Sequence, residues 1–354
     1  MRGIEFDCSQ FNASIRSWYR TNNRSLPWRE LWCEKRDPYL VWLSEIMLQQ
    51  TLIKVVIPAY QKFLTEFPSI DEVARASEDS VRLACRGLGY YRRFGLFYRA
   101  ARELVSRKEF VWPSCYEEWK TLPGIGDYTA AAIASIVNNE MVAVLDGNVE
   151  RVLCRILDIR KPIGSPGLKP ILKKYAQELI TDVDPGAYNQ GMMELGQLIC
   201  TKSDPSCREC PVRKYCLAEK NGSQSLAPAA KVRAEPVDVH ISIAICVDSE
   251  GRLGILPRGA SAKFLAGIAG FPSFLVQPSG EMEPLGFVCP KAWGERLLMH
   301  KLGSFRHNIT HHKIYGTVFR LDGDPFGDLE FFHPSEIESR LVSNLDRKAL
   351  SCFR

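Results

Sequence analysis

At 354 residues the chain exceeds the usual size of a single hydrophobic core, so two domains are expected. A hydrophobic fraction of 45% beside 25% charged residues excludes a largely disordered chain, and no apolar run is long enough to cross a membrane. The net charge of +5 permits a polyanionic partner without demanding one. Met1 to Ser9 carry an acidic pair and no apolar core, which is not a signal peptide, so a reducing intracellular compartment is expected.

From Phe11 to Leu217 apolar residues recur at helical spacing, with Pro and Gly between segments, and strand signals are nearly absent. Asp37-Pro38 offers an N-cap with proline at the first helical position, and the residues from Leu40 to Leu48 are apolar on almost every face. Such a helix is buried, and it holds Glu45. Loss of water would raise this carboxyl toward neutrality, the state a general acid needs; the alternative is an acid that reaches the surface or pairs with an arginine.

Between Arg86 and Lys108, seven cations interleave with Tyr90, Tyr91, Phe94, Phe97 and Tyr98. The pattern suits phosphate contact and base stacking, or an amphipathic helix with a solvated basic face. Leu122-Pro123-Gly124-Ile125-Gly126-Asp127-Tyr128 then joins a short helical segment to an Ala-rich one. Gly124 and Gly126 let amides at a helix start approach a phosphate, as in the hairpin of a helix-hairpin-helix DNA-binding element. Asp146 follows an apolar run and precedes a helical segment, where the helix N-terminus favours its ionised form. A neutral acid at Glu45 and a standing anion at Asp146 would suit glycosidic bond cleavage, although a lone Asp there is also a plain N-cap.

Cys200, Cys207, Cys210 and Cys216 fall within 17 residues, with only one short Cys-x2-Cys pair. Zinc modules usually show two such pairs, so four thiolates on a [4Fe-4S] cluster fit the spacing better than zinc or four reduced structural cysteines. The remaining eight cysteines have no framework spacing. All six histidines lie at or beyond His240, so acid–base chemistry in the first two thirds must use carboxylates, Tyr, Lys or Cys. Asn221 to Pro236 is small, polar and Pro-containing, which marks a linker. After it, Val237 to Val247 and Lys313 to Leu321 alternate as strands. The organisation expected is therefore an all-α domain over 1–220, a linker over 221–236 and an α+β domain over 237–354.

With these pieces in order, the chain resembles the MutY-type adenine DNA glycosylases of the endonuclease III, helix-hairpin-helix superfamily. The matching segments are Leu26-Pro27-Trp28-Arg29, Pro38 to Thr51, Gly87-Leu88-Gly89-Tyr90-Tyr91, the glycine hairpin, Leu145-Asp146-Gly147-Asn148-Val149 and the four cysteines. The resemblance implies base excision repair: removal of adenine mispaired with 8-oxoguanine or guanine in double-stranded DNA, after the adenine is flipped from the duplex. It implies that Glu45 protonates the adenine ring, that Asp146 stabilises the sugar cation, and that Tyr128 and Asn148 support them. Gln190, Trp28 and Arg29 would line the adenine pocket, and Gln50 and Tyr90 would enter the duplex around the oxidised guanine. Endonuclease III-like enzymes, which act on oxidised pyrimidines and then cut the strand, carry a nucleophilic Lys where this chain has Tyr128. A phenol cannot form that Schiff base, so a monofunctional glycosylase is expected, with the glycosylase/lyase as the alternative.

The α+β domain resembles the Nudix-like module through which this family senses 8-oxoguanine. Ile309-Thr310-His311 stands where the family has Phe-Ser-His, keeping a hydroxyl in Thr310 and an imidazole in His311. The acidic box of a true Nudix hydrolase is absent between Gly251 and Arg306, which argues against a pyrophosphatase. A monomer in a bacterial-type cytoplasm, nucleoid-associated through DNA, completes the expectation, with a DNA-binding iron-sulfur protein without catalysis as a third reading.

Overall fold

The computed structural model describes residues 4–230, 235–259, 262–289 and 300–354. They divide into two compact units, Met1–Ala74 with Arg99–Val232, and Arg75–Tyr98 with Arg233–Arg354. In chain order the first helices are α1 (Cys8–Asn22), α2 (Pro27–Lys35), α3 (Pro38–Leu48), α4 (Ile53–Glu66), α5 (Ile70–Arg75), α6 (Glu78–Ala84) and α7 (Arg92–Val105). After them come α8 (Tyr116–Lys120), α9 (Asp127–Val137), α10 (Gly147–Ile156), α11 (Leu168–Leu179), α12 (Pro185–Leu198) and α13 (Leu217–Lys220).

Among its described residues the first unit holds helices and connecting turns and no strand. Asp37 caps α3 by accepting from the Tyr39 amide at 3.0 Å, and every residue from Tyr39 to Met47 is buried, because the helix has no polar stripe to turn outward. Phe11 and Ile15 of α1, Val149 and Leu153 of α10, Leu172 of α11 and Leu195 of α12 share one core. Two glycines let α12 approach its neighbours. A Cβ on Gly191 would lie 2.7 Å from Ile15 Cγ2, and one on Gly196 would lie 2.7 Å from Asn148 Cβ.

The second unit is built on β1 (Val237–Val247), with β2 (Leu253–Pro257), β3 (Ala269–Gly270), β4 (Ser273–Val276), β5 (Met282–Pro284), β6 (Lys301–Ile309), β7 (His312–Asp322) and β8 (Glu330–Phe332), then α14 (Pro334–Arg340) and α15 (Asn344–Phe353). On one edge β1 runs parallel to β7, from Val237 opposite His312 to Val247 opposite Asp322. On its other edge it pairs antiparallel with β4 through His240–Ile243 and with β2 through Cys246–Val247. Alternation sorts its side chains. Val239, Ile241, Ile243 and Ile245 meet Ile337, Leu341, Leu345 and Leu350 of the helical layer, whereas Ala244 and Cys246 meet Phe274, Leu321 and Phe326 on the opposite face. The hairpin between β6 and β7 turns at Thr310, whose φ is 54°.

Of the two readings open for the aromatics interleaved with cations, the amphipathic helix holds: Tyr91, Phe94, Phe97 and Tyr98 are buried, as is Arg93, so they offer no stacking surface, and Tyr90 alone is exposed, at 49%. Positions 91, 94 and 98 follow the three-and-four spacing of a core-facing helical stripe, which outweighs the local excess of charge. One expectation needs correction: the first part of the polar segment after Lys220 is not a free connector. Ser223 and Ala227 are buried, and the Arg155 guanidinium donates through Nε to the carbonyls of Gln224 and Ala227, both at 3.0 Å.

Candidate active site

Glu45 lies in the third turn of α3 and is only 6% exposed. Burial is the strongest influence on it and raises its carboxyl to about 7. A hydrogen bond from Tyr128 and the charge of Arg29 oppose the rise, and the charge of Asp146 adds to it. Tyr128 is brought there by the glycine hairpin. Gly124 takes a φ of 81°, Gly126 is the N-cap of α9, and the second residue of that helix then points its hydroxyl inward. Tyr128 Oη lies 3.0 Å from Glu45 Oε2 and 3.2 Å from Met193 Sδ. Burial pushes the phenol well above its ordinary range, so it remains a donor.

Asp146 caps α10. Its Oδ1 accepts from the amides of Asn148 at 3.0 Å and Val149 at 2.7 Å, and its Oδ2 accepts from Asn148 Nδ2 at 2.8 Å. The helix N-terminus does not lower the carboxyl as the sequence suggests. Burial is the larger influence and raises it, against the donors from Val149 and Asn148 and the charge of Arg151. The two carboxyls therefore differ in their donors rather than in the sign of their shifts. Glu45 has one hydroxyl, while Asp146 has two amides, a side-chain amide and a helix N-terminus to hold its anion.

Glu45, Asp146, Tyr128, Asn148, Trp28, Arg29 and Gln190 all line one cleft of about 760 Å³, within the roughly 300–1,000 Å³ typical of small-ligand sites. Gln190 Oε1 accepts from Tyr19 Oη at 2.8 Å and from Arg29 Nε at 2.9 Å, and its Nε2 donates to the Gly186 carbonyl at 3.3 Å. Its acceptor is thus saturated, leaving one amide hydrogen to meet a ligand. Trp28 packs edge-on against Tyr60 at 5.5 Å. Glu194, not singled out by sequence, is 1% exposed and also lines the cleft. Its Oε1 accepts from Arg29 Nη1 at 2.6 Å and Arg24 Nε at 3.2 Å, and its Oε2 is buried with no protein partner. The signal available in sequence was its place one helical turn after Gln190.

Gln50, just beyond α3, is exposed with a φ of 56°, and neither it nor Gly124 or Gly126 lines the cleft. Tyr90, Thr310 and His311 belong to the second unit, where Tyr90 has a φ of 48° and Thr310 and His311 are exposed.

The four cysteines line a second, smaller cavity walled by Val152, Ile156, Leu195 and Val212. The buried Arg155 donates to Cys200 Sγ at 3.2 Å and to the Thr201 carbonyl at 2.6 Å, and Arg151 Nε donates to the Cys200 carbonyl at 2.9 Å. Burial pushes the thiols of Cys210 and Cys216 up to about 12 and about 11, so a cationic centre is what would bring them to thiolates. Among the described residues no three Cys, His, Asp or Glu side chains gather tightly enough for a single metal ion. A [4Fe-4S] cube does not require that, because each thiolate takes a different corner. The donor set fits the cluster.

The model of the HhH-GPD superfamily of base excision DNA repair proteins matches residues 43–178, which include Glu45, the glycine hairpin and Asp146. The adenine DNA glycosylase of Rattus norvegicus is 32% identical to this chain, over 89% of the chain and 71% of the rat protein. The chain belongs to the adenine DNA glycosylase family. The adenine DNA glycosylase of Buchnera aphidicola (strain Bp) is 39% identical over 60% of this chain and 59% of its own. A thermostable thymine-DNA glycosylase of known structure superposes with a TM-score of 0.52 at 24% identity, over 60% of this chain and 97% of that one, which shows a shared fold. The adenine DNA glycosylase reading therefore holds, as a DNA N-glycosylase of base excision repair with a helical catalytic unit followed by a sheet-containing one, and the pyrimidine-specific alternative is not favoured.

Proposed function

We propose that the protein is a monofunctional glycosylase that removes adenine paired with 8-oxoguanine or guanine in double-stranded DNA. The observation that carries this reading is the sharing of one cleft by Glu45, titrating at about 7, and Asp146, whose anion has three donors. The flipped adenine enters that cleft, Glu45 gives a proton to a ring nitrogen, and the electron pair of the C1′–N bond leaves with the base. Asp146 faces the resulting sugar cation, water adds at C1′, and its proton returns to Glu45. Tyr128 and Asn148 position the two carboxyls; Trp28, Arg29, Gln190 and Glu194 shape the base pocket.

The cations lining the cleft are the guanidiniums of Arg24, Arg29 and Arg36, which form no Schiff base with a sugar aldehyde, and this supports glycosylase action without strand cutting. On the same reading Gly124 and Gly126 bind a DNA phosphate, Gln50 and Tyr90 meet the oxidised guanine, and Thr310 and His311 contribute to sensing it. Cys200, Cys207, Cys210 and Cys216 hold a [4Fe-4S] cluster that ties down the end of the helical unit. The protein acts as a monomer in a bacterial-type cytoplasm. The deciding experiment is a cleavage assay on duplexes with A opposite 8-oxoguanine, with and without alkali. Breaks only after alkali are expected; breaks without it, or action only on oxidised pyrimidines, would overturn the proposal.

A further inference from the structure

Within the second unit the turn that carries Tyr90 is conformationally costly. Gly87, Gly89 and Tyr90 have φ of 93°, 69° and 48°, and a left-handed non-glycine residue persists only where its surroundings hold it. The holding groups are visible. Tyr91 is only 7% exposed, and its hydroxyl accepts from the Gly87 amide at 3.1 Å while donating to the Val342 carbonyl at 3.0 Å. Val342 joins α14 to α15 between two buried neighbours, Leu341 and Ser343, and Ser343 caps α15 through the amides of Leu345 and Asp346. A parallel tether runs from Arg86 Nη1 to the Glu338 carbonyl at 3.1 Å, and Arg93 Nη2 donates to the Leu88 carbonyl at 3.2 Å inside the turn. The phenol thus uses both its acceptor and its single proton to fasten the start of the turn to the α14–α15 connection, while the neighbouring Tyr90 ring is left facing solvent.

We propose that Tyr91 is a positioning residue for lesion discrimination: its hydroxyl couples the α14–α15 connection to the Gly87–Tyr90 turn and so fixes how Tyr90 is presented to the base opposite adenine. The inference rests on the reading that Tyr90 contacts that base. Tyr91 itself touches no DNA, so its loss weakens selection between oxidised and normal guanine and spares bond cleavage once DNA is bound.

The test measures dissociation constants for duplexes with A opposite 8-oxoguanine and A opposite guanine, in the full chain made inactive by Glu45→Gln, with single-turnover rates at saturating duplex in the active protein. In Tyr91→Phe the preference for the oxidised duplex falls by roughly five- to tenfold, the order expected when the two hydrogen bonds of the hydroxyl are lost, and the saturated rate stays within about twofold. Tyr90→Ala lowers the same preference, and the double variant is no worse than Tyr90→Ala alone, as expected for two residues acting in series. A Tyr91→Phe protein with unchanged preference, beside a Tyr90→Ala protein that has lost it, overturns the proposal. An unchanged preference in Tyr90→Ala overturns the reading of Tyr90, and the proposal with it. A fall in saturated rate as large as the fall in preference assigns Tyr91 a merely structural role. Hydrogen exchange on the parent protein needs no variant: the Gly87 amide is expected to be as protected as the amides of α15, and exchange at open-loop rates overturns the tether.

Discussion

Tyr128 Oη donates to Glu45 Oε2 across 3.0 Å, joining the helix that follows the glycine hairpin to the acid buried in α3. The bond favours the carboxylate and burial favours the acid, and their balance leaves Glu45 near 7, where a proton can be both given and regained.

Removing that hydroxyl should move the balance. In Tyr128→Phe the influence lowering Glu45 disappears, so it titrates above 7 and stays protonated to higher pH. The alkaline fall of the single-turnover rate is expected to shift upward in pH. A fall that stays in place or shifts down would show that this bond does not set the titration.

Glu45→Gln should separate chemistry from stability. Adenine release is expected to drop by roughly 10²–10⁴-fold, the usual worth of a general acid, while duplex binding survives. The folded value of about 7 lies above the ordinary 4.5, so between them the folded protein holds more protons than the unfolded one, and stability falls as pH rises through that window. The variant escapes this loss. It should match the parent at low pH and exceed it above neutrality by up to about 3 kcal/mol; urea midpoints at about pH 4 and about pH 8 provide the measurement.

Asp146→Asn keeps a good N-cap and removes the charge. Stability is expected to fall by only about 1–2 kcal/mol, since Asn and Asp cap comparably and only the acceptor of Asn148 Nδ2 is lost, while cleavage falls by roughly 10²–10³-fold for want of an anion facing the sugar cation. Equal losses of Tm and rate would point to a structural role alone.

Gly196→Ala tests the packing that sets Asn148. The added carbon would lie 2.7 Å from Asn148 Cβ and 3.2 Å from its backbone, so α10 must shift where Asp146 caps it. A cost of about 1–3 kcal/mol, usual for overpacking, is expected together with a reduced rate. A variant with parental rate and Tm would mean that the site tolerates the displacement.

Cys210→Ala, which leaves no donor atom for iron, bears on the cluster. Iron content and thermal stability should fall together, because metal binding and folding are coupled at such sites. Undiminished iron in the purified variant would remove Cys210 from the ligand set.

Local signals in the sequence carry far. Asp37-Pro38 and an unbroken apolar surface were enough to bury α3 and Glu45, and strict alternation was enough to place β1 with its two faces. Pairings between distant residues were not legible. Glu194 takes its partners Arg24 and Arg29 from α2 and the segment before it, and nothing near position 194 announces them. The sign of the Asp146 shift was also out of reach, since it depends on how much water the rest of the cleft removes. The aromatics after Tyr90 left two readings open because rings beside cations look alike whether the rings face a core or a nucleic acid.

Arg155 sets where the helical unit can be cut. Two of its carbonyl acceptors, Gln224 and Ala227, lie beyond α13, while others come from the loop after Cys200. A truncated protein ending at Lys220 would keep all four cysteines yet leave the Arg155 Nε without its two acceptors, whereas one ending near position 230 retains the full set. Of two truncations that both remove the rest of the unit to which Arg75–Tyr98 belongs, the one ending near position 230 should therefore be the more stable, and protease trimming of the intact chain should stop short of those ten residues.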